Sequence, residues 1–417
     1  LITDGSAGQK ESPAAEIPLR RNRDFLLLWS GAGMALLGTR VSAIAYPLLV
    51  LWSTGSASAA GLVGFAAQLP ALLIQLPAGA LVDRWDRRRL MIFCNLGGAL
   101  MLGSTTVSVA LGAVWIPQLM LAAFVESSLT IFYTLSERGG VRNLVPKSQL
   151  PTALSQNEAR GRVAALCGQP LGSLVFGLGQ WLPFAFTSFS HVFALAGLAC
   201  IKKDLQTARK AKPDRVLLAI REGISWVWRQ RFLRAVMALI AGSNIVLNGL
   251  SLVVLVIVHA QGASPAIVSM IVAVRGLGGL LGALTGTWWL RATGVRFIVV
   301  GGNLAWAVLV PLVMVVTEPI ALAVIFGAAS FVGGAFNVAG GVYQIQRTPD
   351  SMQGRVNSVM NLLGSGANSL GILVTGFLLD AQGATRTAGV LSALMVAVAI
   401  AAVVSPAVRH EGRTPAA

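Results

Sequence analysis

"GALVDRWDRRRLM", residues 79–91, puts six charged side chains into the seven positions from Asp83 to Arg89. On either side the chain is uncharged, from Gly61 to Val82 and from Leu90 to Gln118. Each flank is long enough to cross a hydrocarbon core about 30 Å thick, which takes about 20 apolar residues. The stretch therefore reads as a short polar turn between two membrane crossings, and its charges must be explained by what they do at a membrane surface.

The same alternation fills the rest of the chain. Its 417 residues are 55% hydrophobic and only 12% charged, with a mean hydropathy of +0.73, whereas soluble domains carry about 25% charged residues. An all-α integral membrane protein is expected. The apolar runs predict twelve spans, at 25–51, 57–82, 89–111, 114–137, 154–180, 182–201, 235–259, 265–290, 297–316, 319–344, 356–379 and 386–408. Pro47, Pro70, Pro77 and Pro170 fall inside spans, where neighbouring helices can re-satisfy the freed backbone groups. Residues 1–24 are polar and basic with no apolar leader core, so they read as a cytoplasmic tail.

The net charge of +16 is distributed in a way that argues for orientation and against nucleic-acid binding. With the N-terminus inside, the inner segments hold 29 of the 32 lysines and arginines, and the outer loops hold only Arg386. This asymmetry places both termini in the cytoplasm. It also makes membrane lipid a partner of the basic segments. Trp52, Trp115, Trp181, Trp288 and Trp289 fall near span ends, where aromatic rings favour the interface. Cys94, Cys167 and Cys200 lie within spans and form no C-x-x-C pair. The spacing of His191, His259 and His410 suggests no metal site.

The longest polar interruption, residues 202–234, divides the chain. It predicts an N-terminal six-helix bundle at 25–201, a cytoplasmic central loop, a C-terminal six-helix bundle at 235–408 and a short tail at 409–417. Leu217, Ile220, Ile224 and Val227 follow helical spacing beside Arg215, Arg221 and Arg229, as an interfacial amphipathic helix would. The halves also echo each other. "LGSLVFG" at 171–177 returns as "LGILVTG" at 370–376, with five of seven residues identical. Gly79, Arg84 and Arg89 correspond to Gly286, Arg291 and Arg296, while Asp83 becomes Leu290. The offsets, 199 and 207 residues, both near half the chain, point to duplication.

On these residues "GALVDRWDRRR" resembles the G-x-x-x-D-R-x-G-R-R signature of the major facilitator superfamily, with Asp86 in place of the usual glycine. Twelve spans in a 6+6 arrangement, a basic central loop and cytoplasmic termini agree along essentially the whole chain. "YQIQRTPDSMQGRVNSV" (343–359) and "RQRFLRAV" (229–236) are similar to the bacterial drug, macrolide and siderophore efflux branch. The resemblance implies a monomer in the bacterial inner membrane. It also implies that Gly79, Asp83, Arg84 and Arg88 form a gate, with Asp83 meeting the start of the eleventh helix at Gly354, Arg355, Asn357 and Ser358. A carboxylate there would face unsatisfied N–H groups and the positive end of a helix dipole. The family's fifth-helix antiporter signature survives only as "GQPLGS" (168–173), which close packing around a proline kink explains equally well.

Three ionisable residues fall deep within spans: Arg40, Glu126 and Arg275. Each costs at least about 2.5 kcal/mol on insertion scales, so a function or a partner is expected. Glu126 with Arg40 is a candidate proton-coupling pair, and a purely structural ion pair between them is the plainer alternative. Polar residues at helical spacing mark faces turned inward: Glu126, Thr130 and Tyr133; Asn244, Asn248 and Ser251; Ser330, Asn337, Gly341 and Gln344. With Arg40 and Arg275 they form the candidate substrate cavity. The expected function is secondary active export of an amphipathic small molecule, driven by a proton gradient, with no cofactor and no phosphate-binding loop for ATP. A nutrient importer or uniporter of the same fold is the alternative. A polytopic membrane enzyme would need polar catalytic residues in the outer loops, which are nearly devoid of them, and a non-transporting receptor would have no use for deep charges.

Overall fold

The computed structural model describes residues 18–82, 84–206 and 224–410. Among them every regular element is a helix. In chain order these are α1 (Arg23–Thr54), α2 (Ala57–Leu73), α3 (Gln75–Val82), α4 (Arg87–Ala110), α5 (Ile116–Leu144), α6 (Leu150–Leu178) and α7 (Leu182–Cys200). After the central segment come α8 (Arg231–Ala260), α9 (Pro265–Leu312), α10 (Pro319–Arg347), α11 (Asp350–Val404) and the short α12 (Pro406–His410). Eight of the described helices are long and apolar enough to cross a membrane: α1, α4, α5, α7, α8, α9, α10 and α11.

Helix ends follow local chemistry. Asn22 caps α1 by accepting from Phe25 N, and Gly55 ends it in the left-handed region at φ 67°. Asp86, the departure from the family signature, caps α4 by accepting from Arg89 N at 2.8 Å. Gly294 and Gly383, both at φ 80°, break α9 and α11 into two arms each. Only glycine takes that conformation without strain, so the chain reverses there without leaving the helical ladder for long. Both breaks fall in the polar gaps between the eighth and ninth and the eleventh and twelfth sequence-predicted spans.

The duplicated heptads occupy equivalent places. A Cβ built on Gly172 of α6 would lie 2.6 Å from Val41 O of α1, and one on Gly371 of α11 would lie 2.4 Å from Ile245 O of α8. Small residues let these backbones touch. "GQPLGS" serves this contact, since Gly168 lies equally close against Arg40 Cβ. Of the predicted amphipathic segment, residues 207–223 lie outside the described residues. From Ile224 the chain is helical again, and Val227 is buried against Leu233, Met237, Val356 and Val359.

Candidate functional site

Glu126 sits on α5 and is 3% exposed. Its carboxylate accepts from Ser42 Oγ at 2.5 Å and from Tyr46 OH at 2.9 Å, both on α1. Arg40 makes no ion pair with it, which corrects the structural pairing considered from sequence. The reason is helical geometry. Ser42 and Tyr46 are one turn apart on the face that meets α5, whereas Arg40 lies about 200° around the helix from Ser42.

Three cavities that share lining residues lie along these helices, and Glu126 lines the second. The first, of ≈ 380 Å³, is lined by Arg40, Thr130, Tyr133, Glu137, Arg160 and Arg162, among others. The second, of ≈ 450 Å³, draws Arg40, Glu126 and Gln68 from the first half and Asn248, Ser251 and Arg275 from the second. The third, of ≈ 530 Å³, lies between Arg162 and the second half, with Asn244, Arg275, Ser330 and Asn337 in its wall. Arg275 donates to Ser251 Oγ at 3.1 Å, Asn248 donates to Asn368 Oδ1 at 2.5 Å, and Thr130 donates to Glu126 O at 2.8 Å. The predicted cavity residues thus converge, except Gln344 and Gly341, which line none of the three cavities.

Sequence reasoning missed the ion pair at the first cavity. Arg160 Nη2 meets Glu137 Oε1 at 2.7 Å with both side chains nearly buried, and Arg160 Nη1 donates to Trp29 O at 3.0 Å. The signal available was Glu137 in the fourth span and Arg160 in the fifth, residues that read as positive-inside anchors and their neighbours.

Asp83 lies outside the described residues. Arg88 donates to the carbonyls of Leu198 and Ala199 at 3.2 and 3.3 Å, and Arg87 to Gly139 O at 3.2 Å, so both tie α4 to its own half. Arg84 is exposed. On the predicted partner turn, Ser358 donates to Gly354 O at 2.9 Å, Asn357 is exposed and Arg355 reaches Met352 Sδ. A Cβ built on Gly79 or on Gly354 would meet no atom within 4 Å.

At the Ser56 end the halves touch. Asp380 of α11 accepts from Ser56 Oγ at 2.9 Å, Ala57 N at 2.8 Å and Ser58 N at 2.9 Å, holding the first turn of α2. Ser269 of α9 donates to Pro170 O of α6 at 2.7 Å. Polar cavities lined by both halves of an all-helical membrane chain, with the halves in contact at the Ser56 end, are the architecture of a membrane transporter of the major facilitator superfamily.

Comparison with known proteins agrees. The transmembrane secretion effectors (MFS_3) match residues 14–414, and the chain belongs to that family. It is a multi-pass membrane transporter and not an enzyme. It is 28% identical over 411 residues to the multidrug efflux pump Tap of Mycobacterium tuberculosis (strain ATCC 25618 / H37Rv), covering 95% of this chain and 96% of that one. It is also 28% identical over 162 residues to macrolide efflux protein A of Streptococcus pyogenes, covering 37% of this chain and 38% of that protein. The nucleoside transporter NupG (D323A mutant) superposes with a TM-score of 0.72 at 14% identity, covering 92% of this chain and all of that one. A bacterial homologue of the lysosomal transporter Spinster, inward-facing and occupied, gives 0.70 at 14% identity over 94% and 98% of the two chains. At that identity the likeness is one of fold alone.

Proposed function

We propose that the chain is a proton-driven efflux pump for amphipathic small molecules, working by alternating access in the bacterial inner membrane. The names of its full-length relatives support export over import. Twelve crossings in two six-helix bundles at 25–201 and 235–408 are supported by the two arms of α9 and of α11, with α2 and α3 counted as one crossing. The arginine-rich turns then lie in the cytoplasm with both termini. On that orientation the Ser56 end faces outward, and the second cavity, lined by both halves, is the substrate chamber. The protein acts as a monomer, with lipid against its apolar faces. Asp83 serves as a gate against the Gly354 turn.

One observation carries the coupling: Glu126 is a lone carboxylate in the wall of a chamber built by both halves, held by two hydroxyls instead of a cation. A carboxylate so placed can take up a proton without breaking an ion pair, and losing the charge frees Ser42 and Tyr46 to rearrange with α1. Arg40 and Arg275 line the same chamber and set the field that Glu126 feels.

The test is Glu126→Gln in proteoliposomes. The amide keeps the acceptor and the size, so the protein should fold. Accumulation driven by a pH gradient should be abolished, while exchange of labelled for unlabelled substrate continues, since exchange needs no net proton step. A stable variant that still pumps uphill with unchanged pH dependence would rule the proposal out.

A further inference from the structure

The three cavities meet at arginines. Arg40 lines the first and second, Arg275 the second and third, and Arg162 the first and third. Every acid along the same walls is already engaged. Glu126 is held by Ser42 and Tyr46, Glu137 by Arg160 at 2.7 Å, and Glu158 by Arg138 at 3.8 Å. No carboxylate lines the third cavity. Among the described residues none of the three shared arginines is in an ion pair, and Arg275 has only a neutral hydroxyl partner at 3.1 Å.

A path whose walls hold more guanidiniums than carboxylates in each of the three cavities repels cations and concentrates anions. A guanidinium presents a planar fork that matches an oxyanion with two parallel hydrogen bonds. The second cavity supplies the other half of recognition, an apolar wall of Ile44, Leu252, Val272, Phe326 and Ile372. We infer that the transported molecules are organic anions, with a carboxylate, sulfonate or phosphate passed between Arg162, Arg275 and Arg40 while an apolar body lies on that wall. This rests on the transporter reading and narrows its substrate class.

The test uses one ring system with three charges: 2-naphthoate, 2-naphthalenemethanol and 2-naphthylmethylammonium. Their binding to the full-length protein in uncharged detergent is measured by calorimetry at low salt. The naphthoate should bind at least tenfold more tightly than the ammonium, with the alcohol between, and added salt should weaken the naphthoate alone. Arg275→Gln and Arg162→Gln should each loosen the naphthoate at least fivefold, and Arg275→Lys less than Arg275→Gln. Equal or tighter binding of the ammonium, or no binding of the naphthoate, overturns the inference. So does naphthoate affinity kept within twofold in all of Arg40→Gln, Arg162→Gln and Arg275→Gln. The ranking by charge needs no variant, so a misfolded mutant does not blunt the test. Naphthoate that binds but is not moved uphill by a pH gradient in proteoliposomes would break the pump reading alone. Uphill pumping of the ammonium would break the anion reading alone.

Discussion

Two seams join the halves at the end that carries Ser56, and they are built differently although the sequence repeat makes them equivalents. In the seam between α2 and α11, a Cβ on Gly376 would lie 2.7 Å from Ala57 O and 3.1 Å from Gly61 Cα, so backbone rests on backbone. Asp380 then clamps the first turn of α2 through three hydrogen bonds. In the seam between α6 and α9, Gly177 occupies the place of Gly376, but a Cβ there would lie 3.6 Å from the side chain of Pro265. Its polar contact is a single neutral hydrogen bond from Ser269. Within each half the repeat is kept closely, as Gly172 and Gly371 show; between the halves it has diverged. Contacts that hold a bundle together are under the same demand in both copies. A contact that must open need be strong in only one place, and that is where the carboxylate sits.

The comparison breaks most sharply at Gly376. Gly376→Ala pushes a methyl into backbone atoms that cannot rotate away, a form of overpacking that costs about 1–3 kcal/mol. The seam should loosen and the equilibrium should move toward opening at the Ser56 end. Thiol labelling of a Val258→Cys reporter, which lines the second cavity, should rise by an order of magnitude from that side of the membrane. Unchanged labelling would mean that the seam is not the closure.

Asp380→Asn is the milder intervention. The amide keeps one of the two acceptor oxygens that meet α2 and loses the charge that meets the positive end of the helix, the charge alone being worth about 0.3–1 kcal/mol for an exposed group at low ionic strength. Labelling of the same reporter should rise up to about fivefold, and the difference should shrink in high salt. An equal rise at all salt concentrations would assign the effect to shape and not to charge.

The sequence carried the membrane crossings and their turns because those depend on apolar length and on glycine. Gly294 and Gly383 fall in the polar gaps between predicted spans, and Asp86, conspicuous against the family signature, is explained by an ordinary cap. The deep polar residues were legible because burying them is costly, and most line one of three adjoining cavities. Their partners were not legible. Ser42 and Tyr46 are unremarkable in a helix of 32 residues until α5 is placed beside them. Arg162 resembles one more inner-side anchor until its position between the first and third cavities is seen. Asp380 reads as a loop acid at the end of a span, because nothing local reveals that the start of α2, more than 300 residues away, is its partner. Depth within the bilayer is a property of the segment, whereas pairing is a property of the assembled helices.

The smallest expected effect is at Gly177, and it sharpens the comparison most. Gly177→Ala adds the same methyl as Gly376→Ala at the equivalent position, so any difference between them reports the seam and not the substitution. At 3.6 Å from Pro265 the methyl makes ordinary van der Waals contact. Alanine also favours the helical backbone over glycine by about 1 kcal/mol, less near a helix end such as this one. Stability should therefore be unchanged or slightly raised, within about 0.5 kcal/mol, and labelling of Val258→Cys should stay within twofold of the parent. If Gly177→Ala opens the protein as far as Gly376→Ala does, the two seams bear equal load and the asymmetry is only apparent. If it has no effect while Gly376→Ala does, one copy of the duplicated heptad has become a latch and the other has remained a sliding surface.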